Sequence, residues 1–476
     1  MNRGLFNKTK IVATIGPATQ EEDVLKRIIE AGVDVCRLNF SHGTHEAHQT
    51  VINRIRKINS ELGTHVSILM DLQGPKLRIG KVDGEIHLTE GQLITVTTEE
   101  CMCTSELLFV SYARLAMDAK PGERILLNDG KVELKVTEII DEKRLRAAVV
   151  VGGVLTSNKG FNLPETQLTV PCLTEKDLKD LEFGLKQNVD WVALSFVRKP
   201  EDILELKQLI GMHEKDTRVI AKIEKPEAVE NITEIIKVSD AIMVARGDLG
   251  VELPLQRVPL IQKDIVDKCI LAAKPVIIAT QMMESMIYDS MPTRAEINDV
   301  ANAVLDGADA VMLSAETGVG KYPVRVVEVM SSIITDVEKD KRVYFKGKKP
   351  NNNSPSFASD EVCFTAVRMS DHLDAKAIIA MTRSGYTGFR VASYRPQAHV
   401  FIFTDNPSLL TRLSLVWGVR GFYYDEYVST DQTFQDVTDV LKQEGIVKPG
   451  DCVINCASMP IHKKQRTNTI KVTFVD

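Results

Sequence analysis

The sequence predicts an α/β protein built on a TIM-type (β/α)8 barrel, with a small β-barrel lid domain inserted into it and an α/β open-sheet domain after it. Three observations predict this fold. Short apolar runs rich in Val, Ile and Ala alternate with amphipathic stretches of helical period, which is typical of parallel strands covered by helices. The segment 76–170 instead alternates with period two, and the polar linker KGKKPNNNSPS precedes a final set of alternating runs. We therefore expect barrel segments at 1–75 and 171–342, a lid at 76–170 and a C-terminal domain at 343–476.

The length and composition agree with a multidomain globular protein. A chain of 476 residues is too long for one core. The hydrophobic content of 44% and the charged content of 26% are ordinary, and the net charge of −6, with no broad basic patch, argues against a nucleic-acid partner. The first residues, MNRGLFNKTK, lack a signal-peptide core, and no run is long enough to span a bilayer. We expect a cytoplasmic protein with no membrane partner, whose eight scattered cysteines are reduced thiols.

Eight apolar runs of strand length predict the eight barrel strands. These runs are Lys10–Gly16, Val33–Phe40, Ser67–Leu72, Trp191–Phe196, Val219–Glu224, Ala241–Gly247, Pro275–Thr280 and Ala310–Glu316. Stretches of helical period lie between most of them, at Glu21–Ala31, Glu46–Leu62, Glu175–Gln187, Glu201–Met212, Glu227–Val238 and Leu260–Ala273.

Polar side chains gather at the C-terminal end of every predicted strand. In chain order they are Thr14, Arg37, Asn39, Ser41, Asp71, Ser195, Lys222, Glu224, Arg246, Asp248, Thr280, Ser314 and Glu316. A barrel brings these strand ends together around one mouth, where barrel enzymes do their chemistry. The alternative is that they are loop residues that happen to be polar.

Two of these residues, Glu224 and Asp248, are carboxylates at the ends of neighbouring strands, with Lys222 between them. Such a pair can hold one hard divalent cation beside a positive charge. That combination suits transfer of a phosphoryl group or stabilisation of an enolate. The alternative is structural, because Lys222 and Glu224 share a strand face and can form a simple ion pair.

The inserted segment contains the alternating runs ITVTTEE, RILLNDGKVELKV and RAAVVVGGVL. Asn128-Asp129-Gly130 between two such runs is a strong hairpin signal. The position of the insertion at the barrel mouth suits a lid.

The C-terminal segment contains the apolar runs AKAIIAMT, HVFIFTD, GFYYD and DCVINCA. After the first of them, Thr382-Arg383-Ser384-Gly385-Tyr386-Thr387 places hydroxyls and backbone N–H groups in a glycine-containing turn at a predicted helix start. Such a turn can bind an anion. The alternative is a turn that caps the helix and binds nothing.

Six long motifs occur in the order known from one family: KIVATIGPAT, DVCRLNFSHGTHE, VIAKIEKPEAVEN, IMVARGDLGVE, IIATQMMESM and PTRAEINDVANAVLDGADAVMLSAETGVGKYPV. From about Thr9 to its C-terminus the chain resembles the pyruvate kinase family. It resembles the bacterial type, because the longer N-terminal extension of animal members is missing before KIVATIGPAT. The resemblance implies transfer of a phosphoryl group from phosphoenolpyruvate to ADP, giving pyruvate and ATP in the last step of glycolysis.

The resemblance also implies the roles of the residues at the mouth. Glu224 and Asp248 would ligate Mg²⁺ or Mn²⁺, and Lys222 would stabilise the phosphoryl group and the enolate. Arg37 would hold the phosphate. The Gly247 backbone and the Thr280 side chain would contact the substrate carboxylate or the protonation site. Thr280 with water is the family-based candidate for the proton donor; its alternative is a plain buried strand threonine.

Four residues are expected on the nucleotide side: Thr14, His42, Arg78 and Lys159. Arg78 and Lys159 lie at the two ends of the lid insertion. The alternatives are that His42 caps the following helix and that Lys159 is a solvated hinge residue.

A monovalent-cation pocket in the family uses side chains corresponding to Asn39, Ser41 and Asp71 and the carbonyl of Leu72. K⁺-dependent members carry threonine, lysine and glutamate at the positions where this chain has Leu72, Gln73 and Lys76. The Leu/Gln/Lys combination resembles the K⁺-independent branch. We hypothesise that the Lys76 ammonium replaces K⁺, which would then not be required. The alternative is a surface lysine at the lid hinge.

The resemblance implies two further properties. The turn containing Thr382, Arg383, Ser384, Gly385 and Thr387 would bind a phosphate of an allosteric effector, with Lys463, Lys464 and Arg466 nearby. Fructose 1,6-bisphosphate, ribose 5-phosphate, glucose 6-phosphate and AMP all stay open as effectors. A homotetramer is expected.

Two other functions are alternatives: a metal-dependent barrel lyase or aldolase acting on pyruvate enolate, and a non-catalytic metabolite sensor. The lid insertion with Arg78 and Lys159 argues against the lyase, which has no need of it. A sensor would be indicated by loss of any of four mouth residues, and all four are present: Lys222, Glu224, Asp248 and Thr280.

Overall fold

The computed structural model of the chain describes residues 6–166, 169–426, 429–460 and 465–476. The strands in chain order are β1 Lys10–Ile15, β2 Val35–Asn39, β3 Ser67–Asp71, β4 Ile86–Leu88, β5 Leu93–Thr97, β6 Leu107–Phe109, β7 Arg124–Leu127, β8 Val132–Ile139, β9 Arg144–Val151, β10 Gly153–Leu155, β11 Phe161–Asn162, β12 Trp191–Leu194, β13 Arg218–Ile223, β14 Ala241–Ala245, β15 Val276–Ala279, β16 Ala310–Leu313, β17 Ala377–Met381, β18 His399–Thr404, β19 Val419–Tyr423, β20 Cys452–Ala457 and β21 Thr469–Phe474.

The α-helices are α1 Glu22–Glu30, α2 His45–Leu62, α3 Leu115–Asp118, α4 Glu175–Lys186, α5 Pro200–Met212, α6 Pro226–Glu230, α7 Ile232–Val238, α8 Arg246–Glu252, α9 Val258–Ala272, α10 Arg294–Asp306, α11 Ala315–Gly318, α12 Pro323–Val337, α13 Phe357–His372, α14 Tyr386–Ser393, α15 Pro407–Arg412 and α16 Thr430–Gln443. Short 3-10 helices occur at Leu255–Arg257, Glu284–Ile287, Lys341–Val343 and Leu413–Leu415. None of the helices in the described ranges combines the length and the apolar character needed to cross a membrane.

The predicted barrel is confirmed. Eight strands close in the order β1-β2-β3-β12-β13-β14-β15-β16, and every neighbouring pair is parallel. Apolar side chains on alternate strand positions, such as Val12, Leu69, Trp191 and Met243, fill the interior. A second and larger apolar cluster lies between the strands and the surrounding helices.

The predicted strands are too long at their C-terminal ends. The strand predicted over Ala241–Gly247 ends at Ala245, and Asp248 lies in the first turn of α8. The strand predicted over Ala310–Glu316 ends at Leu313. The helix predicted over Glu227–Val238 is two helices that meet at Asn231. For the two strands, the polar residues after the apolar run belong to the next helix or to its N-cap.

The inserted segment forms the predicted β-structure. Its main sheet has the order β11-β7-β8-β9-β5-β6, and β4 pairs with β10. Asn128-Asp129-Gly130 forms the predicted hairpin between β7 and β8, with φ of 52°, 58° and 81°. Arg78 bridges to Gly160 beside β11, and Ile79 bridges to Val110 beside β6. The segment that contains Arg78 and Ile79 therefore joins the two edges of the main sheet.

The C-terminal segment forms the predicted open sheet, in the order β19-β18-β17-β20-β21. Strand β21 is antiparallel to β20 and was not predicted. Apolar clusters cover both faces of the sheet. A buried ion pair joins this sheet region to the base of the barrel, with Arg395 Nη2 2.8 Å from Asp309 Oδ2. All eight cysteines are free thiols. The domain boundaries at 75, 170 and 342 stay predictions.

Candidate active site at the barrel mouth

Lys222 is the centre of the polar cluster at the barrel mouth. It lies near the end of β13, and its Nζ lies 2.9 Å from Glu224 Oε1 and 3.2 Å from Asp71 Oδ1. It also donates to Ser195 Oγ at 2.7 Å. Burial alone would lower the pKa of Lys222, but the Asp71 and Glu224 carboxylates outweigh burial and raise it. The side chain is therefore a permanent cation.

Asp71 also fixes the orientation of Arg37. Arg37 Nε donates to Asp71 Oδ2 at 2.7 Å, and Arg37 Nη1 donates to Thr14 Oγ1 at 2.8 Å. Burial would raise the pKa of Asp71, but the Lys222 ammonium and the Arg37 guanidinium hold it below its usual value. Asp71 is thus a buried carboxylate that orients two cations, and Thr14 lies beneath Arg37.

Glu224 follows β13, Asp248 lies in the first turn of α8, and the two carboxylates are close enough to interact electrostatically. Glu224 is buried, and its Oε2 accepts the Phe196 N–H at 2.9 Å. Asp248 is exposed in the cleft between the barrel and the lid. Desolvation in that cleft and repulsion from the Glu224 carboxylate raise the pKa of Asp248 to about 6. Two carboxylates that repel each other in this way are suited to sharing a hard cation.

The carboxylates of Glu224 and Asp248 fit a metal ion whose remaining ligands come from the substrate and from water. Among the described residues no group of three or more His, Cys, Asp or Glu side chains is arranged to hold an ion. Mg²⁺ is commonly bound by one or two carboxylates, with waters and substrate oxygens as the other ligands. Glu224 and Asp248 match that pattern.

Thr280 and Gly247 form a second polar group beside Asp248. Thr280 follows β15 and has a φ of 68°, which is unfavourable for a β-branched residue. Its Oγ1 accepts the Gly247 N–H at 2.7 Å and donates to the Ala279 carbonyl at 2.6 Å. Arg246 supports this backbone by donating to the Thr280 carbonyl at 2.8 Å while it pairs with Asp299 at 2.7 Å. Thr280 is therefore not a plain strand threonine.

The predicted monovalent-cation residues lie together, but Lys76 points elsewhere. Asn39 Oδ1 accepts the Ser41 N–H at 3.1 Å, and the Leu72 carbonyl accepts the Ser195 hydroxyl at 2.8 Å. Lys76 is exposed and lies in the lid cleft with Asp248, whose pKa its charge lowers. The cations that contact Asp71 are Arg37 and Lys222.

The nucleotide-side residues fall into two places. Arg78 and Lys159 meet at the lid hinge, where Arg78 Nη1 donates to the Asn158 carbonyl at 2.9 Å and the Ile79 N–H donates to the Lys159 carbonyl at 3.0 Å. Thr14 and His42 lie on the barrel side. The helix cap of α2 is Thr44, whose Oγ1 accepts the Ala47 N–H.

His42 is therefore not the cap of α2. It is exposed, and its carbonyl accepts a hydrogen bond from the His48 ring at 3.0 Å.

A cavity of about 640 Å³ lies beside the predicted effector turn. Gly385 has a φ of 85° and precedes α14, and its N–H donates to Thr382 Oγ1 at 3.1 Å. Arg383, Ser384 and Thr387 also line the cavity. Lys463 and Lys464 lie outside the described residues, whereas Arg466 lines the cavity.

Asp216 and Arg218 form the barrel side of this cavity and were not predicted. Arg412, which pairs with Asp216 at 2.6 Å, was not predicted either. No local pattern marks these residues, because the cavity forms only when the C-terminal sheet packs under the barrel.

The mouth of this (β/α)8 barrel contains two cations, Lys222 and Arg37, together with the carboxylates of Glu224 and Asp248. This combination places the protein among the barrel enzymes that act on anionic substrates. Comparison with known proteins gives the particular family. Residues 6–327 match the family model described as pyruvate kinase, barrel domain, and residues 360–473 match the one described as pyruvate kinase, alpha/beta domain. The chain belongs to the pyruvate kinase family.

Similar proteins extend over nearly the whole chain. Pyruvate kinase 2 of Synechocystis is 44% identical over 475 residues, covering 99% of this chain and 80% of that protein. Pyruvate kinase of Mycobacterium tuberculosis is 43% identical over 469 residues, covering 98% of both chains. The crystal structure of a pyruvate kinase from Cryptosporidium parvum has a TM-score of 0.92 and 34% identity, covering 98% of this chain and 96% of that one.

Proposed function

We propose that this protein is a pyruvate kinase that transfers the phosphoryl group of phosphoenolpyruvate to ADP. One observation within the family assignment supports this most strongly: Lys222, whose side chain is 11% exposed, is held at once by Glu224 and Asp71 at the open end of the barrel. Phosphoryl transfer requires positioning and charge neutralisation more than covalent chemistry, and these contacts provide both.

Glu224 and Asp248 are the proposed ligands of Mg²⁺ or Mn²⁺. When bound, the ion would neutralise charge on the substrate phosphate and carboxylate. Glu224 is already oriented by the Phe196 N–H, while Asp248 is free to adjust in the cleft.

Lys222 and Arg37 are the proposed phosphate-binding cations. Because the pKa of Lys222 is raised, this lysine stays protonated and acts through its charge rather than as a base. Arg37 uses Nε on Asp71 and Nη1 on Thr14, so its Nη2 edge is available for a phosphate oxygen.

Thr280 and Gly247 are the proposed contacts for the substrate carboxylate and the protonation site. After phosphoryl transfer the enolate carbon must gain a proton. The Thr280 hydroxyl lies next to the Gly247 N–H beside Asp248, and with water it is the proposed route for that proton.

Arg78 and Lys159 on the lid, with Thr14 and His42 on the barrel, are the proposed nucleotide-binding residues. Arg78 bridges to Gly160 in the lid, whereas Thr14 contacts Arg37 at the barrel mouth, so closure of the lid would bring the lid cations toward ADP phosphates bound there.

Lys76 is proposed to replace the K⁺ that other family members bind near Asn39, Ser41, Asp71 and the Leu72 carbonyl. Its ammonium supplies a positive charge on the Asp248 side of the site, where Asp129 and Asp248 also line the cleft. The enzyme would then require Mg²⁺ or Mn²⁺ but not K⁺.

The cavity beside Thr382, Ser384 and Thr387 is proposed to bind a sugar-phosphate or nucleotide effector. The helix start after Gly385 and the arginines that line the cavity suit a phosphate. By analogy with the family, the assembly is proposed to be a homotetramer.

Pyruvate formation from phosphoenolpyruvate, ADP and Mg²⁺ in K⁺-free buffer tests this function. We expect turnover without K⁺ and little gain on adding KCl. No pyruvate under either condition, even with sugar phosphates and AMP present, would overturn the proposal in favour of a lyase or a sensor.

A further inference from the structure

Glu252 is a buried carboxylate with no role in the site described so far. It is the last residue of α8 and is 3% exposed. Its Oε1 lies 2.5 Å from Lys225 Nζ and accepts Asn162 Nδ2 at 2.8 Å, while its Oε2 is buried without a hydrogen-bond partner in the described part of the chain. A charge buried in this way is costly, so the fold retains it only where its partners are fixed.

Glu252 and its two partners belong to three different parts of the site. Glu252 itself ends the helix whose first turn contains Gly247 and Asp248. Lys225 directly follows Glu224. Asn162 belongs to β11 of the lid. A single carboxylate oxygen therefore connects the two proposed metal ligands with the lid.

Lys225 has little freedom to move. It is 5% exposed, and its Nζ lies 5.6 Å from the centroid of the Phe196 ring. The Phe196 N–H in turn donates to Glu224 Oε2 at 2.9 Å. Displacement of Lys225 would thus be transmitted to Glu224 through the chain and through Phe196.

The contact between Glu252 and Asn162 lies where the lid packs against α8. Asn162 lies two residues after Gly160, which bridges to Arg78 at the hinge. The hairpin tip of the lid also approaches α8, since a Cβ on Gly130 would lie 3.9 Å from Val251. The polar contact to Glu252 is therefore placed where the lid rests on α8.

We propose that Glu252 is a positioning residue that sets the spacing of Glu224 and Asp248 through Lys225 and holds the lid over them through Asn162. The proposal rests on the proposed function. Groups that orient metal ligands typically change metal affinity by about 10- to 100-fold when they are lost. A residue with a merely structural role would change stability without changing metal affinity or lid motion.

Two variants test separately the contact of Glu252 with Lys225 and its contact with Asn162. Replacing the ion pair by the double change Lys225→Met and Glu252→Gln keeps the volume and leaves no unpaired buried charge. Asn162→Ala removes only the lid connection. The matched control is Arg395→Met with Asp309→Asn, which removes another buried ion pair at the opposite end of the barrel.

The experiment measures Mn²⁺ binding by electron paramagnetic resonance, hydrogen exchange in the lid, melting temperature and steady-state kinetics on the full chain. The double change should weaken Mn²⁺ binding about tenfold. Asn162→Ala should leave Mn²⁺ binding intact, speed exchange of the β11 amides by about fivefold and raise KM for ADP more than it lowers kcat. The control should lower only the melting temperature.

Wild-type Mn²⁺ affinity and lid exchange in both folded variants would overturn the proposal even if the enzyme makes pyruvate. If the wild-type protein makes no pyruvate but the two variants show the expected binding and exchange changes, the positioning role of Glu252 is upheld and the proposed function fails.

Discussion

The Lys222 ammonium lies 3.2 Å from Asp71 Oδ1, although β12 separates their two strands in the barrel. The contact spans the one intervening strand at the mouth and leaves Lys222 between Asp71 and Glu224. Two buried carboxylates keep the lysine charged, so its proposed contribution is a fixed positive charge at the transferring phosphoryl group.

Lys222→Met should lower kcat by about a thousandfold, because the loss of one preorganised electrostatic contact costs about that much. The wild-type pH profile of kcat should show no basic limb from Lys222, since the pKa of this lysine is raised. Lys186→Met, at an exposed pair with Glu182, is the matched control and should keep full activity. A Lys222→Met enzyme that keeps a tenth of wild-type kcat would contradict the role.

Asp248→Asn should affect metal binding and stability in opposite directions. Because its pKa is raised from 3.8 to about 6, the carboxyl keeps its proton to a higher pH in the folded state than in the unfolded one. The free energy of unfolding of the metal-free protein therefore falls as the pH rises from 3.8 to about 6. An asparagine does not titrate, so the variant avoids this loss of stability. Asp248 is exposed, so screening limits the effect to a gain of about 1–2 °C in melting temperature at pH 7.5.

Melting in EDTA at pH 7.5 and pH 3.5, together with Mg²⁺ titration, tests this prediction. The gain should nearly vanish at pH 3.5, which lies below both pKa values, so that the carboxyl is mostly protonated in both states. Mg²⁺ affinity should fall at pH 7.5. An Asp248→Asn protein that melts lower than wild type in EDTA at pH 7.5 would show that the carboxylate is stabilising, against the direction of the pKa shift.

Gly247→Ala should impair catalysis because the added methyl group would press on Thr280. A Cβ at Gly247 would lie 3.3 Å from Thr280 Oγ1, and Thr280 has a backbone that cannot relax easily at a φ of 68°. A displacement of a fraction of an ångström should lower kcat about 10- to 100-fold. Gly211→Ala in α5 is the control, because its Cβ would meet nothing within 4 Å.

The control should be stabilised by about 0.5–1 kcal/mol through helix propensity, with kcat unchanged. Equal kcat values for the two glycine variants would show that the position of Thr280 does not affect catalysis.

Lys76→Glu should make the enzyme depend on K⁺. The change places a carboxylate beside Asp248 in the lid cleft, and a monovalent cation would then be needed to offset the added charge. Pyruvate formation with and without KCl measures the effect. Lys81→Glu on the exposed surface of the lid is the control. If K⁺ activates the wild-type enzyme by more than about tenfold, the hypothesis that the Lys76 ammonium replaces K⁺ is wrong.

The barrel was predictable because each strand is a continuous apolar run and each run ends in polar residues. The start of α8 was not, because no capping side chain marks it: the residue before it is Ala245, which forms no side-chain cap. Strand β21 was missed because its residues, TIKVTF, alternate between polar and apolar and do not form a continuous apolar run, as suits a half-exposed edge strand. The contact of Glu252 with Asn162 joins residues 90 positions apart, so only the folded arrangement of lid and barrel brings it together.

Ser384→Glu should abolish effector binding at the cavity beside α14. The Ser384 hydroxyl accepts the Tyr386 N–H at 3.4 Å at the start of that helix, and a carboxylate there would repel a phosphate. A bound effector raises the melting temperature by mass action, so thermal shifts with fructose 1,6-bisphosphate, ribose 5-phosphate, glucose 6-phosphate and AMP reveal which ligand binds. Gln443→Glu adds the same charge on the exposed end of α16 and should keep the shift. If Ser384→Glu retains the full shift with the ligand that stabilises the wild-type protein, the effector binds elsewhere.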